Sequence, residues 1–330
     1  MRFVIVGAGA VGGVIGGRLF QHGHEVALVA RGEHGRVLAA RGLTLEDPDG
    51  EVTLAVPAVS HPSDLDWRAD DVAIVATKTQ QALVALDDVR AAVGDLDIPV
   101  VCATNGLAAE DLALRWFARV IAMCVFLPAT HLHPGVVQAS AAPNSGVLDV
   151  GRYPHGADGV TAELAEALSA SCLPSVVDDD VMAAKRTKLL GNLGNIVDAV
   201  CGPAGRSPAA VEGLLRPARE EALACYRAAG LRWMSETDEA ERRKNLSPLR
   251  EVNGRPRGGG STWQSLARGG GSVETDYLNG EIMLLGRLHG VATPVNAGLQ
   301  HLGHFAARTG VAPGSMTVAD ALEFVLRFIR

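Results

Sequence analysis

Aromatic side chains are scarce in this chain. They make up 4% of the residues, whereas glycine alone occupies 38 positions. Such a composition allows helices and strands to pack closely and favours an α/β fold. Hydrophobic residues reach 48% and charged residues 20%, which excludes a disordered chain and permits a large core. A length of 330 residues indicates two domains.

Other missing features exclude whole classes of protein. The five cysteines include no C-x-x-C pair, so neither a zinc site nor a disulfide framework is indicated. The net charge is −7, and the short basic stretch 241–245 follows acidic residues, so we expect no nucleic-acid partner. No apolar run reaches the ~18 residues of a membrane span. The N-terminus also lacks the pattern of a signal peptide, so we expect a cytoplasmic protein without a membrane partner.

The hydrophobic pattern of the sequence changes near residue 180. Before it, short β-branched runs such as 2–6, 25–30 and 71–78 alternate with helical segments, as in parallel βαβ units. After it, helical periodicity dominates. We therefore predict an N-terminal Rossmann-type dinucleotide-binding domain over residues 1–178 and an all-helical C-terminal domain for substrate binding and dimerisation over 179–330.

The segment "GAGAVG" is a G-x-G-x-x-G motif between a predicted strand and a predicted helix. Gly7 allows the tight turn, Gly9 lets the backbone approach a pyrophosphate, and Gly12 permits close packing of helix on strand. The helix N-terminus then offers free N–H groups to the phosphates. The predicted cofactor-binding residues of this loop are Gly7, Ala8, Gly9, Ala10, Val11 and Gly12.

The end of the second predicted strand indicates which dinucleotide is bound. NAD sites usually place an acid there, but this chain has Arg31, which could pair with a 2′-phosphate. Lys78, at the end of a neighbouring strand, could add a second positive charge. We therefore favour NADPH over NADH. His34 or Arg36 could serve instead, and Arg31 could also be a plain surface charge.

Two further positions bear on the chemistry. Asn105 follows a predicted strand at the sheet edge where ligands bind, although Asn-Gly is also a common turn. In "KRTKLLGNLGN" (185–195), Lys188, Asn192 and Asn195 would share one face of a helix. A face with one lysine and two asparagines suits the wall of a substrate cleft.

Motifs along nearly the whole chain together resemble one family. They are "GAGAVGG", Arg31, "KTQQ" (78–81), "TNG" (104–106), "HPGVV" (133–137), "KLLGN" (188–192) and the stretch 274–296. This set resembles the ketopantoate reductases (2-dehydropantoate 2-reductases), which are NADPH-dependent 2-keto acid reductases of pantothenate synthesis.

The resemblance implies a role for each matching residue. Lys188 matches the family's lysine that donates a proton to the carbonyl oxygen of the substrate. Glu274 matches the family's acidic residue that contacts the lysine and the substrate. Asn105 matches an asparagine near the nicotinamide. Substrate-binding positions fall on Asn192, on Thr262 in place of a serine and, out of step by one residue, on Asn195. Cofactor contacts are expected at Arg31, Lys78, Asn105 and Glu274 besides the loop.

Some positions depart from the family pattern, and they bear on the substrate. Thr104 replaces a glutamine, Arg186 a tryptophan and Ile196 an asparagine, and 197–206 lacks the usual Pro-Leu-Thr run. The alternatives are therefore a related dehydrogenase acting on another keto acid or an imine, or an NADP-binding regulator without turnover. A homodimer is expected. The long basic segment 235–260 has no assigned role.

Overall fold

The computed structural model describes residues 1–202, 208–269 and 271–328, so positions 203–206 of the divergent stretch 197–206 lie outside the described residues. The described chain forms two compact units. Unit 1 comprises Met1–Lys185 with Ser235–Arg257, and unit 2 comprises Arg186–Met234 with Gly258–Arg330. The predicted boundary after residue 178 falls inside unit 1. The functional roles assigned to the two predicted domains stay predictions.

The strands found in the described residues belong to unit 1. They are β1 (Arg2–Val6), β2 (Glu25–Val29), β3 (Leu43–Asp47), β4 (Gly50–Leu54), β5 (Ala58–Val59), β6 (Asp71–Val75), β7 (Val100–Cys102), β8 (Val120–Phe126), β9 (Ala129–Thr130), β10 (Val136–Ala139) and β11 (Val147–Arg152).

The helices continue through both units. They are α1 (Ala10–Gln21), α2 (Gly32–Arg41), α3 (Thr79–Val93), α4 (Ala108–Leu114), α5 (Gly159–Ala170), α6 (Val181–Asn192), α7 (Asn195–Cys201), α8 (Pro208–Ala228), α9 (Glu236–Arg243), α10 (Ser261–Ala267), α11 (Asn279–His289), α12 (Pro294–Thr309) and α13 (Val318–Leu326). Short 3₁₀ turns span Pro62–Asp64 and Glu274–Tyr277.

A seven-stranded sheet organises unit 1, with the order β11-β8-β7-β6-β1-β2-β5. Its strands are parallel except for β11, which runs antiparallel to β8. The strand order reverses between β1 and β6, and ligands of open α/β sheets bind at the carboxyl ends of strands beside such a reversal. A second sheet, β4-β3-β10-β9, contains the hairpin around Asp49.

The central strand β1 is apolar on both faces because helices cover both sides of the sheet. Phe3 and Ile5 pack into one buried cluster together with residues of α1 and α5. Val4 and Val6 point the other way, into a cluster with residues of α3 and α4. This two-sided core of unit 1, together with the helices that form the described part of unit 2, confirms the predicted fold class.

The segment 235–257 packs within unit 1, although the sequence had assigned it to the second domain. Arg242 of α9 forms an ion pair with the buried Asp149 of β11. Further along, the backbone N–H of Arg250 donates to the carbonyl of Ser140 at 2.8 Å. The Ser247 hydroxyl accepts from the backbone N–H of Asn144 at 3.0 Å. This segment is thus part of the sheet-containing unit.

Candidate functional site

The phosphate loop joins β1 to α1 with the geometry that its glycines demand. Gly7 has φ of +98°, and a Cβ there would lie 2.8 Å from Cγ2 of Thr77. A Cβ on Gly12 would collide with the carbonyl oxygen of Gly7, so the close packing of α1 requires glycine. Gly9 differs, because a Cβ there would meet nothing within 4 Å. Gly9 therefore keeps open the space through which a pyrophosphate would approach the helix N-terminus.

His34 of α2 contacts the backbone of this loop. Its Nε2 lies 2.7 Å from the carbonyl oxygen of Ala8, and its Nδ1 accepts the backbone N–H of Gly135 at 2.9 Å. These partners define a neutral ring with the proton on Nε2. Burial lowers the pKa of His34, and the ring lies against that of His131, with centroids 4.2 Å apart. Both nitrogens are therefore engaged, so His34 is a poor candidate for binding a 2′-phosphate.

A cleft of about 330 Å³ opens beside the loop. Its lining includes Gly7 after β1, Arg31 after β2, Thr77 after β6, and Gln80 and Gln81 of α3. Among the described residues, Oγ1 of Thr77 and Oε1 of Gln80 are buried without a hydrogen-bond partner. Unpartnered buried polar atoms call for a ligand or water. The open space at Gly9 and these two atoms fit a bound dinucleotide.

Arg31 lines this cleft, as the sequence predicted for a cofactor residue, but it also has a protein partner. Its guanidinium forms an ion pair with Oδ2 of Asp88 on α3. Arg36, the alternative cation, instead pairs with Glu33 at the surface, 2.6 Å apart. Lys78 precedes α3 as its N-cap residue. Asp88, Thr77 and Gln80 were missed by sequence reasoning, although "KTQQ" pointed to their neighbourhood.

Asn105 lies just beyond β7, and a buried ion pair stands beside it. Lys185 Nζ donates to Oε1 of Glu110 at 2.5 Å and to the carbonyl of Thr104 at 3.0 Å. Lys185 is 2% exposed and Glu110 is fully buried. The turn before Asn105 is therefore anchored by a charge-assisted hydrogen bond. Neither Lys185 nor Glu110 was predicted to contribute to the site.

The stretch "KRTKLLGNLGN" does not form one helix. α6 ends at Asn192, Leu193 and Gly194 form a turn, and Asn195 begins α7. The expectation that Asn195 shares a helical face with Lys188 and Asn192 is therefore wrong. Gly194 lies close to α8 at this break, since a Cβ there would lie 2.8 Å from Cδ1 of Leu215. Lys188 and Asn192 remain one turn apart on α6, and both are partly buried.

The other predicted residues of unit 2 occupy buried positions. Thr262 is 2% exposed on α10, which packs against α7. Glu274 is 5% exposed and lies on the 3₁₀ turn that precedes α11. Among the described residues, Thr262 Oγ1 and Asn192 Nδ2 are buried atoms without a hydrogen-bond partner. Both predicted substrate ligands thus have unused hydrogen-bonding capacity.

A network of amides fixes the turn between α6 and α7. Asn279 Nδ2 donates to the carbonyl of Leu193 and to Oδ1 of Asn296, each at 3.1 Å. Asn296 Nδ2 in turn donates to Glu221 Oε2 at 2.8 Å. Asn279 and Asn296 fall inside the motif 274–296, but sequence reasoning gave them no role. They tie that motif to the end of the helix that carries Lys188.

Neither a metal cluster nor a membrane-spanning helix occurs in the described ranges. His, Cys, Asp and Glu side chains there form no group of three that could hold a metal ion. No helix within these ranges has the length and apolar character needed to cross a membrane.

Comparison with known proteins gives matches along most of the chain. The family model "Ketopantoate reductase PanE/ApbA" matches residues 3–155, and its C-terminal counterpart matches 180–307. A 2-dehydropantoate 2-reductase of Pyrococcus horikoshii is 28% identical over 192 residues. That alignment covers 58% of this chain and 61% of the relative, so the chain spans less than two thirds of that relative.

Two solved structures are similar over nearly their full length. A PanE/ApbA family ketopantoate reductase from Ralstonia eutropha superposes with a TM-score of 0.76 at 29% identity, covering 94% of this chain and 99% of the other. A D-mandelate dehydrogenase in complex with NADH and anilino(oxo)acetate has a TM-score of 0.77 at 25% identity, with the same coverages.

Proposed function

Because the chain belongs to the ketopantoate reductase PanE/ApbA family, we propose that it is an NADPH-dependent oxidoreductase that reduces a 2-keto acid to the 2-hydroxy acid. The first candidate reaction is 2-dehydropantoate to pantoate. The observation that carries this proposal is the pair Lys188 and Asn192 on α6, inside the stretch matched by the C-terminal family model.

The cofactor would be held by unit 1. Backbone N–H groups of the loop Gly7–Gly12 would bind the pyrophosphate, aided by the partial positive charge at the N-terminus of α1. Arg31 would pair with the 2′-phosphate, and Lys78 would add positive charge nearby. Thr77 Oγ1 and Gln80 Oε1 have hydrogen-bonding capacity to spare for a ligand in the cleft. When bound, the nicotinamide supplies the hydride that reduces the carbonyl carbon.

Lys188 would act on the oxygen of that carbonyl. Negative charge develops there during reduction, and an ammonium group can stabilise it and donate the proton. Glu274 would engage the lysine and the substrate, and Asn105 would contact the nicotinamide. Asn192 Nδ2 would donate to the substrate carboxylate, and Thr262 Oγ1 would donate a second hydrogen bond. Asn195 stays a proposed substrate contact, now from the first turn of α7.

The proton-donor role is tested by Lys188→Ala. NADPH oxidation with 2-dehydropantoate would be followed by the absorbance of the reduced nicotinamide.

 The rate should fall by ~10²-fold or more, because the developing oxyanion loses its donor. Lys244→Ala is the matched control, since Lys244 is an exposed lysine paired with Glu241. Unchanged turnover of every accepted keto acid in Lys188→Ala would reject the mechanism.

Cofactor choice is tested separately with Arg31→Ala. If Arg31 binds the 2′-phosphate, the variant should lose affinity for NADPH and keep its affinity for NADH, because only NADPH carries that charge. An NADPH-to-NADH preference equal to that of the unaltered chain would remove Arg31 from the cofactor site.

A second candidate reaction concerns an aryl substrate. The similarity to D-mandelate dehydrogenase supports it, as do the departures from the ketopantoate reductase pattern at Thr104, Arg186 and Ile196. The corresponding 2-keto acid is phenylglyoxylate, the oxidation product of mandelate. Parallel steady-state assays with phenylglyoxylate and 2-dehydropantoate would decide, since the true substrate should have the higher kcat/KM. Binding of NADPH without reduction of any keto acid or imine would favour the regulator instead.

We also propose a homodimer formed through unit 2. Leu284 and Leu288 lie one turn apart on α11 and are 48% and 67% exposed, which suits an apolar contact between subunits. Light scattering after gel filtration should give twice the chain mass, and Leu288→Glu should reduce it to the monomer. The cytoplasmic location and the part in pantothenate synthesis stay predictions.

A further inference from the structure

Arg31 does not face the cleft as an unpartnered cation. Its guanidinium forms an ion pair with Oδ2 of Asp88, whose side chain is 22% exposed, against 62% for Arg31. The other carboxylate oxygen, Oδ1, lies 3.5 Å from Nε2 of His61. The His61 Nδ1 accepts the backbone N–H of Ser63 at 3.2 Å, which leaves Nε2 as the protonated nitrogen of the neutral ring. Asp88 thus stands between two donors.

The position of Asp88 on α3 places it at the margin of the cleft. Val84 and Ala85 of the same helix line the cleft, as does Pro62, the neighbour of His61. Asp88 follows Val84 by four residues and therefore lies one turn further along the same helical face. Its carboxylate lies where Arg31 reaches across from the end of β2.

A ribose 2′-phosphate at Arg31 would meet this carboxylate. The phosphate carries about −1.5 to −2 charges at neutral pH. It would have to share the guanidinium with Asp88 or displace Asp88, and the two anions would repel each other. A ribose with a free 2′-hydroxyl carries no such charge, so Asp88 would affect it little.

We propose that Asp88 is a specificity-determining residue that competes with a 2′-phosphate for Arg31 and so narrows the preference for NADPH over NADH. This inference rests on the proposed function, because Asp88 would change the affinity of the same dinucleotide site for its cofactor. It predicts an enzyme that accepts both cofactors.

Binding of two small probes to the full chain tests the inference without any turnover. 2′,5′-ADP carries the 2′-phosphate and 5′-AMP lacks it, and each would be titrated calorimetrically into the unaltered chain, Asp88→Asn and Asp87→Asn. Asp88→Asn should bind 2′,5′-ADP about five- to tenfold more tightly, which corresponds to roughly 1–1.4 kcal/mol. Its affinity for 5′-AMP should not change.

Asp87→Asn is the matched control. It removes the same charge from the adjacent position of α3, where Asp87 pairs with Arg90 at 2.6 Å and is 53% exposed. Its affinity for both probes should equal that of the unaltered chain. A similar gain in Asp87→Asn would mean that net charge alone is responsible, and the inference would be overturned.

The remaining outcomes separate this inference from the proposed function. Weaker or unchanged binding of 2′,5′-ADP to Asp88→Asn overturns the inference alone, since Asp88 would then orient Arg31 or play no part. Binding of 2′,5′-ADP only after Asp88→Asn supports the inference but contradicts NADPH as the cofactor of the unaltered chain. Binding of 5′-AMP alone by every variant overturns both.

Discussion

Lys185 and Glu110 form an ion pair inside unit 1, with 2.5 Å between Nζ and Oε1. The Nζ also donates to the carbonyl of Thr104, and it lies 3.4 Å from the carbonyl of Met123. The pair connects the start of α6 to α4 and to the turn that precedes Asn105. Its energetic weight comes from burial, because a charge left without its partner in such a site is strongly destabilising.

Removal of one charge of this pair should therefore destabilise the folded chain far more than removal of both charges. We expect Lys185→Met to lower the free energy of unfolding by about 3–5 kcal/mol, because Glu110 loses its counter-charge. Lys185→Met with Glu110→Met should recover most of that loss. Urea denaturation of the single and double variants measures both effects.

An exposed pair supplies the control for this cycle. Lys244 and Glu241 are each 70% exposed, so Lys244→Met should leave the unfolding midpoint nearly unchanged. A double variant as unstable as Lys185→Met alone would show that packing, and not the unpaired carboxylate, accounts for the loss.

The phosphate loop allows folding and ligand binding to be separated. A methyl group at Gly9 meets nothing within 4 Å, whereas one at Gly12 collides with the carbonyl of Gly7. Gly9→Ala should therefore keep the Tm of the unaltered chain but lose affinity for 5′-AMP and for dinucleotides, because the methyl occupies the approach to the helix N-terminus. Gly12→Ala should lower stability by about 1–3 kcal/mol.

Thermal denaturation and calorimetric titration of both variants check this prediction. Equal affinity for 5′-AMP in Gly9→Ala and in the unaltered chain would place the phosphate elsewhere. A Gly12→Ala variant with an unchanged Tm would contradict the packing account.

His34 should make stability depend on pH. Burial lowers its pKa below the ordinary histidine value of about 6.5. Above that pH the ring is neutral in both the folded and the unfolded chain, so its contribution to stability is fully present. As the pH falls below that value, the unfolded chain binds a proton that the folded chain refuses, and stability is lost until the lowered pKa is reached. His34→Gln removes this titration.

The stability of the unaltered chain should consequently fall more steeply than that of His34→Gln between pH 7 and pH 5. The difference in slope can reach at most about 1.4 kcal/mol per pH unit, the value for one proton. Urea unfolding at a series of pH values measures it. His24, whose pKa burial also lowers, is present in both chains and cancels. Parallel slopes would show that protonation of His34 is not linked to folding.

Local features of the site could be predicted from the sequence. The turn at Gly7 and the packing at Gly12 act through backbone geometry within a few residues, so the motif and its flanking strand and helix were sufficient to predict them. The same holds for β1, because the short β-branched run over residues 2–6 was enough to indicate a parallel strand. Arg31 was placed at the cleft because it follows a strand whose carboxyl end had to lie there.

Partners distant in sequence could not be predicted. Asp88 is 57 residues from Arg31, and Glu110 is 75 residues from Lys185. Nothing local marks either acid, because an aspartate or glutamate on a helix usually lies on a solvated face. The helix break after Asn192 could not be predicted from the sequence for the same reason. Helical periodicity continues across it, and Asn279, which donates to the Leu193 carbonyl in that turn, is 86 residues away in sequence.

The last prediction concerns that break. Asn279 Nδ2 is the donor to the Leu193 carbonyl in the turn between α6 and α7, and it also donates to Asn296 Oδ1. Asn279→Ala leaves both oxygens unpaired in a buried position, at a cost of about 1–3 kcal/mol for each. We expect a lower urea midpoint and a raised KM for the keto acid, because Asn192 ends the helix that this turn terminates.

Gln300→Ala is the control for Asn279→Ala. It removes a 2.7 Å hydrogen bond to Asp276 that is exposed to solvent, so stability should change little. Affinity for 5′-AMP should be equal in both variants and in the unaltered chain, because the dinucleotide site that we propose belongs to unit 1. A raised KM together with weakened 5′-AMP binding in Asn279→Ala would indicate general unfolding, whereas a raised KM alone would assign the amide network to the substrate side of the reaction.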